Sequence, residues 1–193
     1  MENMRKSKSQ KIYLPVLSII VFLFVFGFIF PQQAHAANDV VLNMPGGVAA
    51  NPGDTIERSL NLTVNNGAAP TSMEWIFTYD PTIVSDIEVK VDGNGNAILG
   101  SAFTDTGPFD SGFSCSTPSD PISGDPLPGE TYCTAVNYTS SPLITGVIGT
   151  LQITLAPGTT ASSGTISYIS MDSYDDPGTS LSTSSVDTTL TIN

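Results

Sequence analysis

From residue 55 onward, apolar side chains recur at every second position in one short run after another. That period suits strands, whose side chains point alternately to opposite faces, and does not suit helices. Ile56, Leu60, Leu62 and Val64 follow it, as do Met73, Trp75, Phe77 and Tyr79. So do Ile87, Val89 and Val91, and the clearest set is Val147, Gly149, Leu151, Ile153 and Leu155. Asn-Pro-Gly-Asp at 51–54, Asn-Asn-Gly at 65–67 and Asp-Gly-Asn-Gly-Asn at 92–96 separate the runs. These are residues that accept turn geometry at little cost. Further short runs at 40–44, 97–103, 132–139, 164–171 and 184–192 bring the count to about nine strands, with no amphipathic helix. The expected fold is all-β, a two-sheet β-sandwich of about nine strands, each sheet with one face packed and one wet.

The first thirty-six residues read differently. Arg5, Lys6, Lys8 and Lys11 precede an apolar run at 16–30, and Ala34-His35-Ala36 supplies small residues at the positions of an A-x-A cleavage site. A basic start, an apolar core and such a site make a signal peptide, with the cut after Ala36. The expected organisation is a cleaved signal peptide at 1–36 and one domain at 37–193, secreted to the extracellular space or held at the cell surface. No second apolar run has membrane length, so no membrane association is expected once the signal is removed.

Removing that segment changes the chemistry. The domain keeps Arg58 and Lys90 against seventeen acids, a formal charge of −15. A surface of that sign repels nucleic acid and anionic membrane, so neither is an expected partner. The one histidine, His35, leaves with the signal, and with it any imidazole for a triad or a zinc site. No catalytic residue, cofactor or metal is expected, and the protein reads as a non-enzyme. Cys115 and Cys133 remain, and in an exported chain they are expected to form a disulfide. Closing a loop of that size stabilises a fold by about 3 kcal/mol. The four prolines between them forbid a helix or an inner strand there, so the bridge should staple an irregular excursion.

Other motifs carry less. Asp92, Asn94 and Asn96 alternate oxygens as the start of a helix-loop-helix calcium site does, but Ala97 and Phe103 stand where that loop needs glycine and glutamate. A hairpin turn is the expected structure. Asp172, Asp175 and Asp176 surround a turn, where a solvated acidic loop is expected over a calcium site. Asn61-Leu-Thr63 and Asn137-Tyr-Thr139 match the N-glycosylation pattern inside expected strands, where threonine-rich sequence produces such matches by chance. Met73, Trp75, Phe77 and Tyr79 share one strand face and are assigned to the core. Phe109 and Phe113, flanking the first cysteine, are the better candidates for exposed aromatics, with burial under the loop as the alternative.

Several segments, in order along the chain, resemble the cohesin family, β-sandwich modules related in fold to cellulose-binding-type carbohydrate-binding modules. "GDTIERSLNLTV" at 53–64 is similar to the family's Gly-Asp-Thr-Val opening strand. "TSMEWIFTYDPTIVSDIEV" is similar to its alternating strand that ends in Tyr-Asp-Pro. "ITGVIGTLQITLAPGTTASSGTISY" resembles its Gly-x-Leu strand, Pro-Gly turn and following strand, and "ISMDSYDDPGTSL" its late Asp-rich turn. The segment at 107–130, with its cysteine, departs from the pattern and reads as an insertion.

The resemblance implies a nine-stranded jelly-roll sandwich whose activity is binding. Cohesins hold the calcium-loaded dockerin domain of another protein on a flat sheet face, in extracellular, polysaccharide-related assemblies. Residues on the strand before Tyr-Asp-Pro make contacts in that family, and here those positions fall on Ser72 and Glu74, with Ile76 adding apolar area. The alternative is a carbohydrate-binding module of the same fold, with polysaccharide as partner, which requires a row of exposed aromatics.

Overall fold

The computed structural model describes residues 39–47, 49–105, 107, 110–119 and 127–193, and the expected signal peptide, its cleavage site and Phe109 lie outside them. Eleven strands form, with no helix among the described residues. In chain order they are β1 (Val40–Asn43), β2 (Ala49–Ala50), β3 (Thr55–Val64), β4 (Pro70–Tyr79), β5 (Val84–Val89) and β6 (Ser111–Ser116). They continue with β7 (Glu130–Asn137), β8 (Gly146–Leu155), β9 (Ser163–Asp175), β10 (Thr183–Val186) and β11 (Thr188–Ile192). One sheet has the order β10-β1-β3-β8-β5 and the other β2-β11-β9-β4-β7-β6. The chain changes sheet at almost every connection, which is what makes the two layers one jelly-roll sandwich.

Alternation fills the space between the sheets. Leu60 and Leu62 of β3 and Leu151, Ile153 and Leu155 of β8 meet Met73, Trp75 and Phe77 of β4, all essentially inaccessible to solvent. Trp75 stacks on Phe113 of β6 with ring centroids 6.1 Å apart and meets Phe77 edge-on at 6.3 Å. Phe113 in turn presses on Gly149 of β8, where an added Cβ would lie 2.6 Å from the ring. Glycine in the best-alternating strand is therefore a packing residue, which lets an aromatic of one sheet reach the backbone of the other.

Three departures from the sequence expectation have local causes. The 97–103 run is not a strand. After β5 the chain leaves the sheet as a hairpin tied by the Val91–Ala97 bridge, and it returns beside β8 through the Leu99–Gly149 bridge and the Gly100 and Ala102 N–H groups, which donate to the Ile148 and Val147 carbonyls. The 107–130 segment is not wholly an insertion, because it holds β6, whose Ser-Gly-Phe-Ser-Cys-Ser offers too few apolar residues to show a period. The 184–192 run divides at Asp187, whose carboxylate accepts hydrogen bonds from the Ser167 hydroxyl (2.8 Å) and the Tyr168 N–H (3.4 Å). That corner sends β10 to one sheet and β11 to the other.

Tyr-Asp-Pro is the corner between β4 and β5. The Tyr79 hydroxyl is buried against the Thr131 hydroxyl at 3.1 Å, and Gly129, with φ of 83°, brings its carbonyl within 2.8 Å of the Tyr79 N–H. Asp80 Oδ1 accepts from the Thr82 N–H (2.8 Å) and hydroxyl (2.7 Å), while the Asp80 carbonyl accepts from the N–H groups of Ile83 and Val84. These bonds end β4 in one sheet and deliver β5 to the other.

Candidate interaction face

β4 is central in the six-stranded sheet, with β9 on one side and β7 on the other. Its inward residues Met73, Trp75, Phe77 and Tyr79 are core, as the alternation predicts. Ser72, Glu74, Ile76 and Thr78 point outward along the middle of the sheet. Strand register builds four rungs across this face. Tyr174, Ser72 and Val136 form one, and Asp172, Glu74 and Thr134 the next. Ser170, Ile76 and Tyr132 form the third, and Ser167, Thr78 and Glu130 the last. The three β4 residues singled out by sequence thus share one surface, Glu74 exposed and Ser72 and Ile76 half-buried.

A bulge shapes the β9 side. The register slips between Ile76 and Phe77, so that Ser170 pairs with Ile76, Tyr168 pairs with Phe77, and Ile169 is left over. Ile169 is 56% exposed, whereas Tyr168 turns inward onto Phe77 at 4.9 Å. Burial, then the Asp187 charge, drives the Tyr168 hydroxyl far above the ordinary phenol range. On the β7 side the Tyr132 hydroxyl meets the Glu74 carboxylate, and burial followed by that carboxylate raises its pKa. Beyond the first rung Tyr138 lies across Gly112 of β6 and remains 68% exposed. The face therefore mixes Ile76, Ile169, Val136 and three tyrosines with carboxylates and hydroxyls. Sequence reasoning found its central stripe and missed Tyr132, Val136, Ile169 and Tyr174. The alternation of β7 places the first two; the bulge in β9 has no signal in the sequence.

The remaining candidates serve the fold. Asp92 Oδ1 accepts from the N–H groups of Asn94 and Asn96, closing a hairpin turn, and those two bonds lower its pKa. Asp172 faces outward from β9, whereas Asp175 accepts from the Thr179 N–H at 2.7 Å within the following turn. Among the described residues no three His, Cys, Asp or Glu side chains converge as a metal site. Asn137 is buried, and its Oδ1 accepts from the Thr139 hydroxyl at 2.8 Å. Cys115 and Cys133 are bonded, directly opposite each other on β6 and β7. The bridge therefore fastens an edge strand to the sheet as well as closing the excursion. Phe113 is buried rather than exposed. Asp110, raised by burial and by Asp105, with which it shares a hydrogen bond, sits in the loop before β6. A cleft of about 360 Å³ between the 90–97 hairpin and β6 is lined by Val89, Val91, Ala97, Phe113 and Cys115.

The two basic residues lie elsewhere. Lys90 pairs with Glu57 at 2.7 Å beside the five-stranded sheet. Arg58 opposes Leu151 on the inner side of that sheet, its Nη1 donating to the Glu57 carbonyl at 2.7 Å. Its Nε and Nη2 are buried without a hydrogen-bond partner. No lysine, arginine or histidine occurs on any strand of the six-stranded sheet.

Neither a protein-family model nor a curated protein matches this sequence. Solved structures do match by shape. A cohesin from a type I cohesin–dockerin complex of Clostridium thermocellum superposes with a TM-score of 0.58 at 16% identity, over 84% of this chain and 98% of that one. The fold is cohesin-like. A non-cellulosomal cohesin from the archaeon Archaeoglobus fulgidus gives a TM-score of 0.53 at 15% identity, covering 80% of this chain and 91% of its own. The cohesin module of a family 33 glycoside hydrolase from Clostridium perfringens gives 0.52 at 13% identity, over 81% of this chain and 98% of that module. At such identities the shared property is the sandwich, and the cohesin-like domain's own residues must carry any functional argument.

Proposed function

We propose that this is an exported, non-catalytic protein-binding module that engages a calcium-loaded dockerin-type domain through the outer face of its six-stranded sheet. The observation that carries this is the central stripe Ser72, Glu74, Ile76 and Thr78, in which an apolar residue stands in the middle of an outward sheet face. A sheet face meant only for water has no use for Ile76, Val136 and Ile169 together. A binding face gains contact area from them and orientation from the hydroxyls and carboxylates between. Several of the structural neighbours are cohesins solved with dockerins, which supports the choice of partner. Another is named non-cellulosomal, so a single cohesin-like domain need not belong to a cellulosome.

Export rests on the basic start, apolar run and A-x-A site at 1–36, and N-terminal sequencing of protein recovered from medium or cell surface should begin at Ala37. No helix among the described residues is long and apolar enough to cross a membrane. Calorimetry against a panel of calcium-loaded dockerins tests the function. Saturable binding that Glu74→Arg abolishes supports it; no binding across the panel, or binding indifferent to Glu74→Arg, removes it.

One observation favours carbohydrate binding as the second function, namely that Tyr132, Tyr138 and Tyr174 reach the same outer face. The larger aromatics argue against it, since Trp75, Phe77, Phe103 and Phe113 are all buried. Titration with soluble oligosaccharides while following tyrosine fluorescence separates the two.

A further inference from the structure

Two open sheets leave four edge strands, and three of them here are guarded. β2 has two residues, β10 has four, and β5 carries Asp86, Glu88 and a bulge between Val84 and Asp86. Short strands, charges and bulges all discourage pairing with another chain. β6 has none of these devices. Its Ser-Gly-Phe-Ser-Cys-Ser holds no charge and no proline, and its register against β7 is unbroken. The Tyr138 N–H donates to the Asp110 carbonyl at 2.7 Å, which makes the even-numbered residues the hydrogen-bonded positions of the β6–β7 ladder. Cys115 and Cys133 approach to 4.1 Å at Cα, the close spacing of an unbonded pair, which agrees. Phe113 and Cys115 therefore turn their N–H and carbonyl groups to the free edge, where no described residue bonds them. Beside that edge a cleft runs against the 90–97 hairpin. Its part at Phe113 and Cys115 is about 360 Å³ and is lined by Val89, Val91 and Ala97. Its part at Ser111 and Gly112 is about 720 Å³ and is lined by Asp92 and Asn96.

We propose that β6 accepts an extended peptide as a further antiparallel strand, with apolar residues opposite Cys115 and Phe113 and a lysine or arginine opposite Ser111. This is a second binding site, on the sheet edge, and it does not depend on the function proposed above. Residues directly opposite on neighbouring strands share a face. Side chains opposite Cys115 and Phe113 therefore point as those two do, into the cleft, about 6.8 Å apart. The residue between them, opposite Ser114, points to solvent as Ser114 does. The peptide backbone satisfies the edge, and the cleft selects every second side chain. Charge decides the third position. Glu88 and Asp92 line the cleft, Lys90 between them is tied to Glu57, and Arg58 is turned to the interior. Asp92 lies at the Ser111 end, so a base two residues beyond the second apolar one meets it. A second copy of this chain would bring the same acids to the edge and no base, so it is not the occupant.

The test uses the disulfide-bonded, ¹⁵N-labelled protein and short peptides built on Val-Thr-Val-Thr-Lys. In the free protein the Phe113 and Cys115 amides should exchange with solvent about tenfold or more faster than those of Gly112 and Ser114. The peptide should slow that exchange by about tenfold or more and shift the amides of β6 and the 90–97 hairpin. N-methylation of both valines, whose N–H groups donate to β6, should weaken binding by about tenfold or more. N-methylation of the first threonine, whose N–H faces away from β6, should change it by less than about threefold. Glutamate in place of the lysine should weaken it by about tenfold. Val91→Arg, at a side chain that is 49% exposed and lines the cleft, should abolish binding and leave the Tm unchanged. Equal affinity for the valine-methylated or the glutamate peptide overturns the proposal. So do shifts confined to the outward residues of β4 and β9, or no shift at about 1 mM peptide. Protection of Phe113 and Cys115 that grows with protein concentration in the absence of peptide overturns it in favour of a second copy.

Discussion

Replacing Ile76 by threonine separates a residue kept for binding from one kept for folding. Threonine retains the β-branch, so the strand preference of a central position survives. Ile76 is only half-buried in the protein, on the outer face, with Tyr132 and Ser170 as its rung neighbours. The free protein should therefore lose no more than about 1 kcal/mol, and its Tm should move by about 2–4 °C or less. In a complex the same side chain is covered. The exchange removes about two carbons' worth of apolar burial at about 0.8 kcal/mol each and leaves a hydroxyl without a partner, which costs about 1 kcal/mol more. Together that is about 2–3 kcal/mol, or a dissociation constant weaker by about 30- to 150-fold. Calorimetry against a calcium-loaded dockerin gives the second number and a thermal melt gives the first. Affinity within about threefold of the wild type refutes the assignment of Ile76 to the interface. A fall in Tm of about 10 °C refutes its assignment to a free face, because only core residues cost that much.

Other perturbations probe the frame that holds this face. Gly149→Ala places a methyl group 2.6 Å from the Phe113 ring. It should destabilise by about 1–3 kcal/mol in urea unfolding, with Phe113→Leu in the same chain recovering part of the loss. Arg58→Met exchanges buried, unpaired guanidinium N–H groups for an apolar chain of similar length and should raise stability by about 1–2 kcal/mol; a lower Tm would show that Arg58 has a role its contacts do not reveal. Asp39, Glu57, Asp80 and Asp92 are all more acidic in the fold than their ordinary 3.8 or 4.5. The causes are hydrogen bonds from Ser182, Lys90, Thr82 and the Asn96 backbone respectively. Folded protein binds these protons less readily than unfolded, so the contribution is present above the ordinary values and lost as pH falls through the lower folded ones. The urea midpoint should hold between about pH 7 and 5 and fall below about pH 4, with a smaller fall when Asp80 is alanine.

Much of the sandwich was legible because its strands are long and half-buried, so period two survives into the sequence. Trp75 and Phe77 were placed inside by alternation alone, and the structure puts both there. Hidden elements were those whose register depends on something other than apolar spacing. β6 has one large apolar residue, Phe113, and is held by pairing to β7 and by the disulfide. β10 and β11 look like a single run until Asp187 is seen binding Ser167 and Tyr168 across to β9. The bulge at Ile169 was out of reach for the same reason. Ile166, Tyr168, Met171 and Ser173 cannot all face inward at period two, and only the pairing with β4 shows where the extra residue goes. Two of the three strands of the candidate face are that bulged strand and β7. That is why the sequence located its central stripe and not its width.

The two outer faces of the molecule are the sharpest internal comparison, because both meet the same solvent from the same chain. The outward positions of β3 and β8 include Glu57, Ser59, Thr63, Thr150, Gln152 and Thr154, with Glu57 neutralised by Lys90, while β1 and β10 add Val41 and Val186 to the same side. The outward positions of β9, β4 and β7 hold Ile76, Val136, Tyr132, Tyr174 and Ile169, together with carboxylates that have no cation nearby. Folding selects for neither property. Apolar side chains there gain only part of the burial a core position gives, and opposed carboxylates weaken the pairing of β4 with β9. A face that carries both, on the central strand of its sheet, fits the protein-binding role proposed above.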